Sequence, residues 1–224
     1  MAITEKRQVT ATVEEYLENI FRLQEEGGRA RTKDLAQRIG VTLGTVSNTV
    51  GDLERQALVV HESYRGVTLT EEGRRMALDV VRRHRLSERL LTDILKMPMS
   101  GVHKAACALE HSLSEDVIRP LERALGHPKT CPHGNPIPTR CGGIIEDECT
   151  PVMSLGSGDT GVIIKITEEE EGLLKHLSAL GLVPGASIVA NERVAFDGSM
   201  NITVGTVKRN LSREAASVIW VRKT

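Results

Sequence analysis

Thr32-Lys33-Asp34-Leu35-Ala36-Gln37-Arg38-Ile39-Gly40-Val41-Thr42-Leu43-Gly44-Thr45-Val46-Ser47-Asn48-Thr49-Val50-Gly51-Asp52-Leu53 sets the class of the N-terminal third of this chain. Leu35, Ala36 and Ile39 fall on one face of a short helix and Gly40 stops it. Thr42 then caps a second helix that turns Val46, Val50 and Leu53 inward, which is helix-turn-helix spacing. The outward positions of the second helix are small and polar. Thr42, Thr45, Ser47 and Asn48 lie near its N-terminus, where such a helix meets base edges and where hydroxyls and free N–H groups hold phosphates. An ordinary helical hairpin shares the pattern, but the next residues argue against it. Leu58-Val59-Val60-His61-Glu62-Ser63, Tyr64-Arg65-Gly66 and Val67-Thr68-Leu69-Thr70 read as two short strands about a glycine turn, the wing of a winged helix. Arg65 at its tip and Arg55 are candidate phosphate or minor-groove contacts.

On the N-terminal side, residues 12–23 carry apolar side chains at 13, 16, 17, 20, 21 and 23, a helical period closed by Gly27-Gly28. Thr12 with Glu15 three residues on reads as a capping box, and a metal-ligating role for Glu15 competes evenly with it. On the C-terminal side, Thr70-Glu71-Glu72-Gly73 opens a long helix that runs through His84 and Glu88 to about Lys96. A second helix, about 101–112, carries His103, Cys107, Glu110 and His111 at steps of four, three and one, along one face. These six side chains fall within 28 positions and are the nitrogen, sulfur and oxygen donors that borderline divalent ions take. Leu90, Leu91, Ile94, Leu95, Leu109, Leu113, Val117, Ile118, Leu121 and Leu125 make more apolar surface than three short helices bury alone, so a two-fold dimer is expected.

The chain's 224 residues suggest two or three compact units. Net charge is -1, but residues 29–89 carry 12 Lys/Arg against 8 Asp/Glu and residues 97–224 carry 13 against 15, so a polyanion partner is expected in the first half. Met1–Lys6 holds no apolar run, and no stretch approaches the ~18 apolar residues of a membrane span, so a cytoplasmic protein is expected. Four cysteines in such a compartment read as ligands or buried thiols. Cys141 and Cys149 flank a loop-like linker and receive no role. Beyond Pro151, strand patterns at 161–166, 180–189, 201–204 and 218–221, a helical turn at 173–177 and a hairpin turn at Phe196-Asp197-Gly198-Ser199 read as a small β-barrel.

The winged helix, His84-Arg85-Leu86-Ser87-Glu88-Arg89-Leu90-Leu91, Val102-His103-Lys104-Ala105-Ala106-Cys107-Ala108-Leu109-Glu110-His111 and Thr130-Cys131-Pro132-His133-Gly134-Asn135-Pro136-Ile137-Pro138 together resemble the diphtheria-toxin-repressor family, including its manganese-transport-regulator branch. The resemblance covers nearly the whole chain. It implies a mainly α protein with a small β part: a winged helix-turn-helix domain (1–73), a helical metal-binding and dimerisation domain (74–140), a linker (141–150) and an SH3-like β-barrel (151–224). It further implies a cytoplasmic homodimer that represses metal-uptake genes by binding a palindromic operator in double-stranded DNA when metal is present, with no membrane and no organic substrate.

The resemblance assigns a primary metal site to Glu15, Cys107, Glu110 and His111, with Glu18 as in the manganese branch, and an ancillary site to His84, Glu88 and His103. Cys131 and His133 resemble ligands to the second site of some manganese-type members. The iron-responsive branch has methionine at the Glu15 position, and many manganese-type members have a carboxylate at the Cys107 position. A hard carboxylate and a soft thiolate together leave Mn(II) and Fe(II) both open, at two sites per subunit. The run Glu168–Glu171 reads as a solvated acidic turn, with an oxygen ligand to the ancillary site as the alternative. The expected protein is not an enzyme. Its rivals are a redox-sensing regulator using Cys107 or Cys131, a scaffold with structural zinc and a metallohydrolase, for which no second catalytic constellation appears.

Overall fold

The computed structural model describes residues 10–62, 64–194 and 196–224; Met1–Lys6 and Ser63, the expected end of the first wing strand, lie outside them. The described residues form two compact units, those up to Arg83 with 138–143 and those of 84–137 with 144–224.

The first unit holds α1 (Ala11–Gly27), α2 (Thr32–Ile39), α3 (Leu43–Arg55), β1 (Val59–Glu62), β2 (Gly66–Leu69) and the start of α4 (Glu71–Arg89). The cap of α1 is Thr10, whose hydroxyl accepts from Val13 N at 3.4 Å, so the capping box read at Thr12 and Glu15 does not form. Gly40 takes the left-handed conformation, φ 77°, and its N–H and that of Val41 both reach Ala36 O. That turn sets α2 against α3, and Leu35, Val46, Val50 and Leu53 are buried together with Leu17, Ile20 and Phe21 of α1. Thr42 caps α3 as the sequence suggests, accepting from Thr45 N at 3.2 Å. The wing pairs Val59 with Leu69 and Glu62 with Gly66. Gly66 is required there: φ is 99°, and a Cβ would sit 2.7 Å from Ala30 O, the carbonyl that accepts from Val67 N.

In the second unit the end of α4 continues as a π-helical turn, Leu90–Ile94. The helix read to Lys96 therefore changes pitch after Arg89. Thr92 contributes, its hydroxyl donating to the carbonyls of Glu88 and Arg89 at 3.0 and 3.3 Å and competing with the regular ladder. A 3₁₀ turn (Met99–Gly101), α5 (His103–Glu110) and α6 (Glu115–Ala124) follow. Leu113, Leu121 and Leu125 pack on a core of Leu86, Ile118 and Ile137, and Leu109 packs on Leu91, Val102 and Ala106. Much of the apolar surface expected to need a dimer partner is therefore covered within the unit. Ile94, Leu95 and Val117 stay exposed, at 53%, 59% and 48%.

The C-terminal sheet contains β3 (Thr150–Pro151), β4 (Thr160–Ile166), β5 (Ser187–Arg193), β6 (Met200–Val204), β7 (Val207–Leu211) and β8 (Ile219–Lys223), in antiparallel order β3-β8-β4-β5-β6-β7. α7 (Glu171–Ala179) and the short α8 (Arg213–Ser217) complete it. Bulges between Ile163 and Lys165 and between Ala190 and Glu192 sharpen the twist around a core including Ile163, Ile166, Leu174, Leu177 and Ile219. β7 and α8 were not legible in the sequence, because Val207-Lys208-Arg209-Asn210-Leu211 is a polar edge strand.

One irregular segment carries consequence for the site. The backbone of residues 130–137 is held on one side by Arg85 and Arg89, which donate to Pro136 O and, at 2.7 Å, to Thr130 O. On the other side Ile166 N donates to His133 O and Asn135 Nδ2 to Ile166 O, both at 2.9 Å. A Cβ on Gly134 would stand 1.9 Å from Ile164 O. Contacts this close leave Cys131 and His133 little freedom.

Candidate metal centre and nucleic-acid interface

His84 and Glu88 stand one turn apart at the end of α4, His103 and Cys107 one turn apart on α5, and residues 131–133 lie beside them. His84, Glu88 and His133 are fully buried and Cys131 almost so. His84 Nδ1 lies 2.6 Å from Glu110 Oε2, so that nitrogen donates there and Nε2 faces His103 Nδ1 at 3.3 Å and Glu88 Oε1 at 3.4 Å. His103 Nδ1 also meets Glu169 Oε2 at 2.9 Å, and its Nε2 meets Cys107 Sγ at 3.6 Å. One donor atom from each of His84, Glu88, His103 and Glu169 lies within 4.8 Å of the others.

A second group shares Glu88. One donor atom from each of Glu88, Cys131 and His133 again falls within 4.8 Å of the others. His133 Nε2 is 3.0 Å from Met99 O; donation to that carbonyl leaves Nδ1 facing Glu88 Oε1 at 3.3 Å and Cys131 Sγ at 3.8 Å. A ring held by its far N–H on a carboxylate or carbonyl is the usual support of a metal-ligating histidine.

The donor set fits a divalent ion. Both carboxylate oxygens of Glu88 are buried without a well-aligned hydrogen bond, and Oε1 is met only by the His84 and His133 rings at 3.4 and 3.3 Å, so the carboxylate keeps acceptor capacity for a cation. Cys107, read with Glu110 and His111, also has donor atoms of His84 and His103 within 4.8 Å. Glu110 holds His84 on one oxygen and lies 3.2 Å from His111 Nε2 on the other. The acidic run also differs from the preferred solvated turn. Glu168 accepts from the N–H groups of Glu169 and Glu170, and Glu170 caps α7, yet Glu169 is turned inward onto His103.

In the first unit, Thr42, Thr45, Ser47 and Asn48 are exposed on α3. Thr42 and Thr45 hydroxyls lie 2.9 Å apart and bond each other. Arg55 is exposed and paired with Asp52, and Arg65 is exposed and 3.3 Å from Glu62. On α1, Glu15 is exposed and its carbonyl accepts from Asn19. Glu18 is buried and accepts from Arg22 at 2.8 Å.

Comparison with known proteins places this architecture. Residues 8–67 match the iron-dependent repressor N-terminal DNA-binding domain, residues 70–139 its metal-binding and dimerisation domain, and residues 150–223 the FeoA domain. The chain is 35% identical over 232 residues to the iron-dependent repressor IdeR of Mycobacterium tuberculosis, covering 96% of this chain and 99% of the relative. The chain belongs to the diphtheria-toxin-repressor family. Within that family it is also 42% identical over 132 residues to the diphtheria toxin repressor of Corynebacterium diphtheriae, covering 59% of this chain and 58% of the other. Among solved structures, a manganese-dependent transcriptional repressor in complex with manganese superposes with a TM-score of 0.89 at 33% identity, over 95% of this chain and 100% of that one. The IdeR of T. acidophilum superposes with a TM-score of 0.83 at 28% identity, over 97% and 100%.

In this family member the metal-free cluster is an alternation of positive imidazole and negative donors. Burial opposes charge on His103 and His133, but Cys107 and Glu169 carry the former up to about 9, and Cys131 and Glu88 carry the latter up to about 10. His84 moves upward for the same reason, its partners being Cys107, Glu110 and Glu88. Burial would raise Glu88, yet His133 and His84 hold it down at about 2. Burial likewise opposes the Cys107 thiolate, and His103 and His84 lower its pKa. The negative donors that raise these imidazoles would equally favour a cation, whose binding competes with the protons.

Sequence reading missed the Met99 carbonyl, a backbone group with no side-chain signature, and the Glu110 contact on His84. Glu169 had a signal, the acidic run, with nothing to say which of four glutamates turns inward.

Proposed function

We propose that this chain is a metal-dependent, DNA-binding transcriptional repressor, working as a homodimer on a palindromic operator and controlling metal-homeostasis genes in the cytoplasm. It is not an enzyme. The observation that carries the metal part is the convergence of His84, Glu88, His103 and Glu169 around buried carboxylate oxygens without well-aligned hydrogen bonds; the winged helix with exposed Thr45, Ser47 and Asn48 supports the DNA part. Two nitrogens and two carboxylates suit Mn(II) or Fe(II). Cys131 and His133, sharing Glu88, are proposed as further ligands of this ancillary site, which with a primary set makes two sites per subunit. A proposed primary set of Glu15, Glu18, Cys107, Glu110 and His111 rests on the motif resemblance. Its consequence is that metal biases the spacing of two recognition helices, with a coupling of about 1–3 kcal/mol that DNA returns to metal binding. Bound metal supplies a fixed positive centre where the metal-free cluster holds protons. Glu110 and the Met99 carbonyl orient the rings, and Glu88 links the two groups.

The test is fluorescence anisotropy on a duplex selected by the metal-loaded protein from a randomised pool, with Mn(II), anaerobic Fe(II) or Zn(II) titrated against chelated protein and against Glu15→Ala. Binding that appears only with metal supports the reading, and the metal acting at the lowest free concentration names the effector. Equal binding by chelated protein overturns it.

A further inference from the structure

Leu43 is the first residue of α3, and its side chain is 55% exposed while Val46, Val50 and Leu53 on the same helix are buried. Positions 43, 44, 47, 48 and 51 follow the helical repeat onto one face. Leu43, Gly44, Ser47 and Asn48 are exposed there and Gly51 is half-buried. Hydrogen-bonding capacity at this end of the helix is partly consumed: Thr42 bonds Thr45 through backbone and hydroxyl, and the Thr49 hydroxyl donates to Thr45 O at 3.0 Å. Leu43 is thus the large apolar group projecting from a polar face.

The glycines on that face are not demanded by the fold. A Cβ at Gly51 would meet nothing within 4 Å, and one at Gly44 only Thr42 Oγ1 at 3.8 Å. Glycine is a poor helix residue, so two of them with room for a methyl group lower the surface on either side of the Ser47 and Asn48 side chains. A groove floor can then come close to the helix backbone, with Leu43 at the leading end.

We propose that Leu43 is a specificity residue that packs on the C5-methyl group of a thymine in the major groove, with Gly44 and Gly51 permitting the approach. Among the base pairs, only those containing thymine offer a methyl group in that groove, and an apolar side chain is the group that reads it. The proposal rests on the DNA-binding reading above.

The experiment replaces each thymine of the selected duplex by deoxyuridine, which removes the methyl group alone, and measures binding by metal-loaded wild type, Leu43→Ala and Leu43→Met. Loss of about fourfold per methyl is expected for wild type at one position of each half-site. Leu43→Ala should be indifferent to that change and Leu43→Met should keep part of the sensitivity, with circular dichroism confirming all three folded. Gly51→Ala should melt higher and bind the duplex more weakly. Wild-type indifference to every substitution, or full sensitivity in Leu43→Ala, overturns the proposal, and unchanged binding by Gly51→Ala overturns its close approach. Recovery of no duplex at all by the metal-loaded protein would overturn the DNA-binding reading itself.

Discussion

The outward face of α3 and the donor cluster of the second unit are both made of polar side chains set at helical intervals, and they handle those side chains in opposite ways. On α3 the hydroxyls of Thr42, Thr45 and Thr49 bond to one another or to their own backbone, leaving exposed Ser47 and Asn48 in water at little cost. In the cluster, His84, Glu88 and His133 are removed from water altogether, and Glu88 keeps two acceptor oxygens without well-aligned hydrogen bonds. A solvated recognition surface tolerates its ligand's absence, whereas a buried donor set is held together without metal by its own charges.

Removing Glu88 breaks that contrast most severely. Glu88→Ala deletes the carboxylate shared by both donor groups, and metal affinity by isothermal titration is expected to fall by at least about 100-fold. Because His84 and His133 then keep buried charge without it, urea melts of the chelated variant should show a loss of about 3–5 kcal/mol; an unchanged melt would mean the metal-free cluster is not charge-paired. Asn48→Ala is the counterpart on the exposed face. It should weaken duplex binding by about 10- to 100-fold, the range for one bidentate base contact, while leaving metal affinity and melting temperature as in wild type.

Glu169→Gln sharpens the comparison within one acidic run. About tenfold weaker metal binding is expected, with Glu168→Gln and Glu170→Gln neutral towards metal because their side chains serve backbone N–H groups. Equal effects from all three would return the run to a diffuse acidic surface.

The smallest effect is one of pH. His103 and His133 titrate in the folded, metal-free protein at about 9 and about 10, above the ordinary histidine value. Their contribution to stability is thus full below about pH 6.5 and is lost as pH rises towards 9–10. Chelated protein should melt progressively lower across that window. Metal affinity should rise over the same range, since binding expels the protons. Thermal melts from pH 6 to 10 with and without Mn(II) check both signs.

What could be read in advance follows a simple division. The helix-turn-helix was legible because Leu35, Val46, Val50 and Leu53 repeat at helical spacing and Gly40 carries a local requirement, a left-handed turn. The donors of α4 and α5 were legible as candidates for the same reason. Their surroundings were not: Cys107 also has His84 and His103 within reach, and Glu110 bonds His84. The α1 cap was misplaced because Thr10 and Thr12 are equivalent as residue types, and the backbone conformation of Thr10 decides between them.

By itself, then, the sequence determined the winged helix, the two donor-bearing helices, the β-rich C-terminal part and the family to which the chain belongs, since these depend on periodicity, caps and turns spanning a few residues. Only the tertiary structure decided that Glu169 of the run before α7 faces His103, that the Met99 carbonyl orients His133, and that Glu88 joins two donor groups. Glu169 and His103 are 66 positions apart, Met99 and His133 are 34 apart, and Glu88 and His133 are 45 apart. The close packing of Gly134 on Ile164 and of Asn135 on Ile166 fixes the segment that carries Cys131 and His133.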